Sequence, residues 1–143
     1  MIVVDTNVIA YLHIPGQWTE HARSALLRDA AWAAPVLWRS ELRNILATYV
    51  RREELSLPEA ILVQQTAEEL MADREYTIPS ADVLEISAQG RCSAYDGEFV
   101  TLARRLDLPF VTSDRRLLQS FPRVAVPLEE FAAGASGSIN STP

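Results

Sequence analysis

The 143-residue chain is long enough for one domain with a proper core and too short for two comfortable ones. Its hydrophobic share of 48% and charged share of 22% are ordinary for a soluble globular protein, and no apolar run is long enough to span a bilayer. A formal charge of −6 argues at first against a nucleic-acid partner, and the single cysteine, Cys92, excludes an internal disulfide and points to the cytoplasm.

All 13 basic residues are arginine. A compositional bias is the plain reading of that, although arginine also suits bidentate phosphate contacts. The lack of lysine rules out a Walker-type phosphate loop and a Schiff-base lysine. Bound metal would neutralise some of the acids, so the formal charge overstates the negative field.

The chain opens on Ile2-Val3-Val4, a short β-branched run that reads as a central buried strand. Asp5-Thr6-Asn7 ends it, and a helix follows through Val8, Ile9 and Leu12. The acid in this apolar start, with no basic segment before it, is not expected of a signal peptide. Pro15-Gly16 is a turn. Trp18 to Ala31 reads as an amphipathic helix with Ala22, Ala25, Leu26 and Ala30 inward. His13 and His21 have no partners at metal-ligand spacing and are taken as structural or surface residues.

Ala33-Ala34-Pro35-Val36 is a second strand. Ser40 can cap a helix running to about Arg52, with Leu42, Ile45 and Leu46 on its apolar face. Leu57-Pro58 starts the next helix, followed by Ile61, Leu62, Gln65, Leu70 and Met71. Together the two read as an αα-hairpin, with Arg51-Arg52-Glu53-Glu54 as its solvated loop. Tyr76-Thr77-Ile78 is a weak strand. A helix with Val83, Leu84, Ile86 and Ser87 packing then ends near Gly90.

Ser93 to Leu118, SAYDGEFVTLARRLDLPFVTSDRRLL, organises the rest. Phe99, Ala103 and Leu106 recur at helical spacing, Leu108-Pro109 breaks the helix, and Phe110-Val111-Thr112 is a buried strand. Val124-Ala125-Val126 is a last strand, placed at an edge by Pro127. Residues 1–133 are expected to form one domain, and 134–143, GASGSINSTP, a disordered tail.

Four acids follow strands or open helices: Asp5, Glu41, Asp96 and Asp114. Each alone is well explained as a helix cap or a partner of the helix dipole. Their coincidence at the carboxyl edge of one parallel sheet is not, because active groups of open α/β sheets gather there. Carboxylates meeting in a crevice repel unless a cation compensates them. Oxygen-rich sites suit Mg²⁺ or Mn²⁺, and such ions orient water for attack on phosphorus. The residues therefore point to metal-dependent phosphodiester hydrolysis.

The same segments resemble the PIN-domain family of ribonucleases, and within it VapC-type toxins of toxin–antitoxin pairs. The matching pieces are VVDTNVIAYL, the SEL at Ser40 to Leu42, and AYDGEFVTLARRLDLPFVTSD. DTN or SEL alone carries little, and the third block with its intervals carries most. The resemblance extends to about Phe131. It implies a three-layer α/β sandwich, with a parallel sheet of about five strands between helices. It also implies that Asp5, Glu41, Asp96 and Asp114 bind Mg²⁺ or Mn²⁺ and carry catalysis, with Asn7 and Thr112 as supporting polar residues. RNA would be the substrate. A homodimer and a small inhibitory antitoxin are the implied partners. Gly97 stands where Ala or Cys is expected and should loosen the first turn of its helix. Glu98 is read as a solvated acid rather than a ligand.

Other readings stay open: a stand-alone RNA-processing nuclease, or a silent binding module on the same fold. A haloacid dehalogenase-type enzyme would want an aspartate where Asn7 stands, and a response-regulator receiver would want a lysine. Arg39, Arg43, Arg91, Arg115 and Arg116 are candidate RNA contacts, and any of them can be simple surface charge.

Overall fold

In a computed structural model the described residues are 1–134, so the expected tail lies, beyond Gly134, outside them. The opening run forms β1 (Ile2–Val4), wholly buried. It is followed by α1 (Thr6–His13) and α2 (Thr19–Arg28). Then come β2 (Trp32–Pro35), α3 (Trp38–Arg51), α4 (Leu57–Met71), β3 (Glu75–Tyr76) and α5 (Ser80–Gly90). The organising stretch gives α6 (Ala94–Leu106), β4 (Phe110–Thr112) and α7 (Arg115–Ser120), and β5 (Ala125–Pro127) and α8 (Leu128–Ala133) complete the described chain.

The five strands make one parallel sheet in the order β3-β2-β1-β4-β5. Eight helices of the described residues flank it. The chain runs outward from β1 through β2 to β3, then crosses to β4 on the other side. The direction of travel therefore reverses between β1 and β4. Beyond their carboxyl ends an open α/β sheet forms its crevice. The core behind that edge is aliphatic and aromatic: Val3, Val4, Ile9, Trp32, Phe99, Phe110 and Val111 are fully or almost fully buried. Phe99 and Phe110 stack with ring centroids 5.9 Å apart, fixing α6 against β4.

Several boundaries differ from the sequence reading. α2 stops at Arg28 rather than Ala31, because Asp29 takes an extended conformation and its Oδ1 accepts from the N–H of Ala31. Trp32 is thereby released to start β2. Ser40 does not cap α3, which begins two residues earlier at Trp38. On α4 the inward residues are the small Ala60 and Ala67 with Met71, while Ile61 and Leu62 are exposed. Ser56 and Glu59 cap α4 with a reciprocal pair of side-chain to backbone bonds. Leu84 is exposed instead of packing.

Gly90 is not the left-handed residue that ends α5; Arg91 is, at φ +52° and ψ +39°. Gly90 serves packing, since a Cβ there would overlap the buried ring of Phe121. Gly97 likewise lets α6 approach α5, where a Cβ would meet the Ser87 Oγ at 2.5 Å. Its small size serves that contact.

Candidate active site

Asp5 sits directly beyond β1. Its backbone N–H donates to Val111 O at 3.0 Å, continuing the ladder with β4. Position alone makes it the N-cap of α1, yet its side chain caps nothing. Instead its Oδ2 accepts from the hydroxyl of Thr112 at 2.7 Å. The Thr112 oxygen also accepts from the N–H of Asp114 at 3.0 Å. This one buried threonine thus ties the acid after β1 to the acid after β4. Asp114 is the residue that does cap: its Oδ1 accepts from the N–H groups of Arg116 and Leu117, at 2.9 and 3.3 Å.

The other two acids come from helix starts. Glu41 lies in the first turn of α3 and accepts from the hydroxyl of Thr6 at 2.7 Å. Asp96 lies in the first turn of α6, where Ser93 supplies the cap and accepts from the Asp96 N–H at 3.0 Å. Asp96 is thereby spared from capping.

All four acids line one pocket of about 510 Å³, whose wall also carries Asn7, Ser40 and Tyr95. Asn7 stands exposed there, and Tyr95 is 63% exposed. The arrangement is a rim of carboxylates rather than a closed cluster. Among the described residues no three His, Cys, Asp or Glu side chains stand close enough together to hold an ion as they are.

Burial pushes Asp5 up to about 6, and the charges of Asp96, Glu41 and Asp114 add to that against the hydrogen bond from Thr112. Glu41 is also raised by burial, with Thr6 opposing and Asp96 and Glu98 adding. Asp96 is raised by burial and by Asp114, with Ser93 opposing. Three acids that resist ionisation around one pocket are the state that a cation would relieve. The donors are all oxygen, which fits a hard divalent ion and not a thiophilic one.

Thr6 was not singled out by sequence, although it adjoins Asp5 in the DTN triplet. Its helical position merely hides the reach of its hydroxyl to α3. Glu98 is half-buried, and its charge is felt at Glu41, but it does not line the pocket. Arg39 is removed from the RNA candidates. Its guanidinium grips Glu75 through Nε and Nη2 at 2.6 and 2.7 Å and Glu68 through Nη1 at 2.9 Å. The indole N–H of Trp38 donates to the same Glu75 at 2.7 Å. This network fastens the start of α3, and so Glu41, to β3.

A parallel sheet in this order, with carboxylates gathered beyond β1 and β4, defines an open α/β protein with an acidic site at its switch edge. The chain belongs to the PIN domain family, whose sequence profile matches residues 2–126. It is 26% identical to Ribonuclease VapC3 of Pyrobaculum aerophilum over 129 residues, covering 88% of this chain and 98% of that protein. The fold is similar to the crystal structure of PAE2754 from Pyrobaculum aerophilum, with a TM-score of 0.76 at 19% identity over 96% of this chain and 97% of that one. It is also similar to FitAB bound to an IR36 DNA fragment, with a TM-score of 0.71 at 18% identity over 90% and 96% of the two chains. FitAcB from Neisseria gonorrhoeae gives 0.69 at 20% identity, over 90% and 98%.

Proposed function

We propose that the chain is a metal-dependent endoribonuclease, the toxin of a toxin–antitoxin pair, with residues 1–133 as its nuclease domain. One observation carries the reading: four carboxylates rim a single pocket at the switch edge, and the buried one, Asp5, is held up to about 6 by its surroundings. The similarity to Ribonuclease VapC3 supports RNA as the substrate. The family resemblance supports the toxin assignment.

Asp5, Glu41, Asp96 and Asp114 would hold Mg²⁺ or Mn²⁺. When bound, such an ion supplies an activated water and offsets the charge on the phosphate. The chain's own residues do the rest. Thr112 fixes the rotamer of Asp5, and Thr6 fixes that of Glu41, so neither carboxylate must be ordered when substrate arrives. Asp114 commits Oδ1 to its helix, and its Oδ2 accepts no hydrogen bond among the described residues. Asn7, exposed on the wall, can orient water or phosphate.

The proposed protein partners are a small antitoxin and a second copy of the chain. A groove of about 480 Å³ between α3 and α4 is lined by Leu46, Val50, Leu57 and Ile61, and Leu57 and Ile61 are 60% and 48% exposed. Such a face suits a protein partner, here the antitoxin or a second copy of the chain. Among the described residues no helix is long and apolar enough to cross a membrane, and a cytoplasmic location accords with the lone cysteine.

The test is cleavage of a mixed structured-RNA pool by purified protein with Mn²⁺ or Mg²⁺, with chelator, and by Asp96→Asn. Cleavage that needs the metal and is lost in the folded variant is expected. Equal cleavage by Asp96→Asn would remove that residue from the site. No cleavage by folded, inhibitor-free protein would favour the silent binding module.

A further inference from the structure

The acid pocket poses a problem for its own substrate. A polyanion must enter a rim of four carboxylates on a chain of net charge −6. Beyond the one phosphate that an ion on those acids would serve, cationic help has to come from nearby arginines, and most of the thirteen are already engaged. Arg23, Arg39 and Arg105 are ion-paired. Arg28 and Arg104 lie over the rings of Phe131 and Phe121. Arg74 donates to the carbonyls of Trp32 and Leu70, and Arg51 to the Thr48 hydroxyl.

A second, smaller groove of about 220 Å³ shares Asp96 and Asp114 with the acid pocket, and its other walls include Arg91, Cys92 and Arg116. Both arginines are exposed, and neither forms an ion pair among the described residues, although two carboxylates line the same groove. Their positions are fixed by the backbone. Arg91 is the left-handed residue that turns the chain from α5 toward α6, and the N–H of Arg116 is held by Asp114. The two thus flank Asp96 and Asp114 from separate elements.

We propose that this groove is a phosphate subsite in which Arg91 and Arg116 together hold the RNA phosphate next to the one presented to the acids. The inference rests on the ribonuclease reading and deepens it. An RNA strand then runs from the acid pocket over the Asp96–Asp114 wall into the basic groove. Guanidinium forks match phosphate oxygens in pairs, so the contact is to backbone and adds affinity and register without reading sequence. Cys92, the chain's one cysteine, lines this groove and becomes covered when the strand is seated.

The experiment uses a fluorescein-labelled single-stranded RNA 12-mer of mixed sequence, with the full chain carrying Asp96→Asn so that the RNA stays intact. Binding is read by anisotropy over a salt series, without added metal. A second protein adds Arg91→Asn and Arg116→Gln, asparagine being chosen because it tolerates the left-handed conformation. A third adds Arg52→Gln instead, an exposed arginine at the far end of α3. The arginine pair should weaken binding about tenfold and flatten the slope of log affinity against log salt by about 0.7 per arginine. Arg52→Gln should do neither. RNA should also slow alkylation of Cys92 by N-ethylmaleimide several-fold in the parent, and not in the double-arginine protein.

Binding and slope matching those of Arg52→Gln would overturn the subsite while leaving the nuclease intact. So would a Cys92 alkylation rate unchanged by saturating RNA. A folded parent that neither binds RNA here nor cleaves it as the Asp96 protein would overturn both readings together.

Discussion

Asp5 shows how far a single side chain departs from its local role. A helix-start aspartate is ordinarily a cap, and sequence favoured that for each acid taken singly. Here Thr112, a residue 107 positions away in sequence, takes its carboxylate instead. The consequence can be measured. Its pKa is raised from 3.8 to about 6, so the folded state binds the proton more tightly than the unfolded chain. That stabilisation is complete below the unfolded value and is lost as pH rises through 6. Above it, folding carries an ionisation penalty of about 3 kcal/mol. In chelator at pH 7, Asp5→Asn should therefore be more stable than wild type by roughly 1–3 kcal/mol in urea melts, and the gap should close near pH 4. A variant less stable at pH 7 would show that the carboxylate contributes structure beyond its charge. Asp114, by contrast, is both cap and candidate ligand, and sequence could not divide the two jobs because they use different oxygens of one side chain.

At the scale of elements, the period-2 and period-3.6 patterns made β1, β4, α1 and α6 legible in the sequence, along with the placement of all four acids near one sheet edge. What they hid was set by tertiary contact. The spacing of Ile61 and Leu62 marks a helix but not its inward face, which α4 gives to Ala60 and Ala67 because α3 packs close. Gly90 looked like a stop signal, as glycine near a helix end usually is. Its reason lies in Phe121, thirty-one positions on, whose ring occupies the space of a Cβ. Gly90→Ala should accordingly destabilise the protein by roughly 1–3 kcal/mol despite improving helix propensity. Adding Phe121→Leu should recover part of the loss relative to Phe121→Leu alone, and strict additivity of the two in a double-mutant cycle would refute the contact. Arg39 stayed open between RNA contact and surface charge for a similar reason. Its partners Glu68 and Glu75 come from α4 and β3, so nothing adjacent in sequence announced the network.

Across the whole molecule, the sheet order brings strand ends that are far apart in sequence to one place and leaves their charges uncompensated. Stability and the candidate site are therefore linked. Adding Mn²⁺ to chelated protein should raise Tm by on the order of 5–10 °C at saturating concentrations, and Asp96→Asn should lose most of that rise. An equal rise in both proteins would place the ion elsewhere. The same linkage explains why the acids, each ordinary alone, were informative as a set: chemistry at this edge depends on convergence, and order along the chain combined with fold class gives convergence without giving distances.

The two outer strands carry a further consequence. β3 is only two residues long, and β5 ends on Pro127, which has no N–H to offer. Both flanks of the described sheet are therefore poor templates for an added strand, of this chain or of another. Docking through side chains on helix faces, such as the groove between α3 and α4, is the mode this architecture favours. Discrimination among kindred partners then rests on which few apolar and charged side chains those faces present.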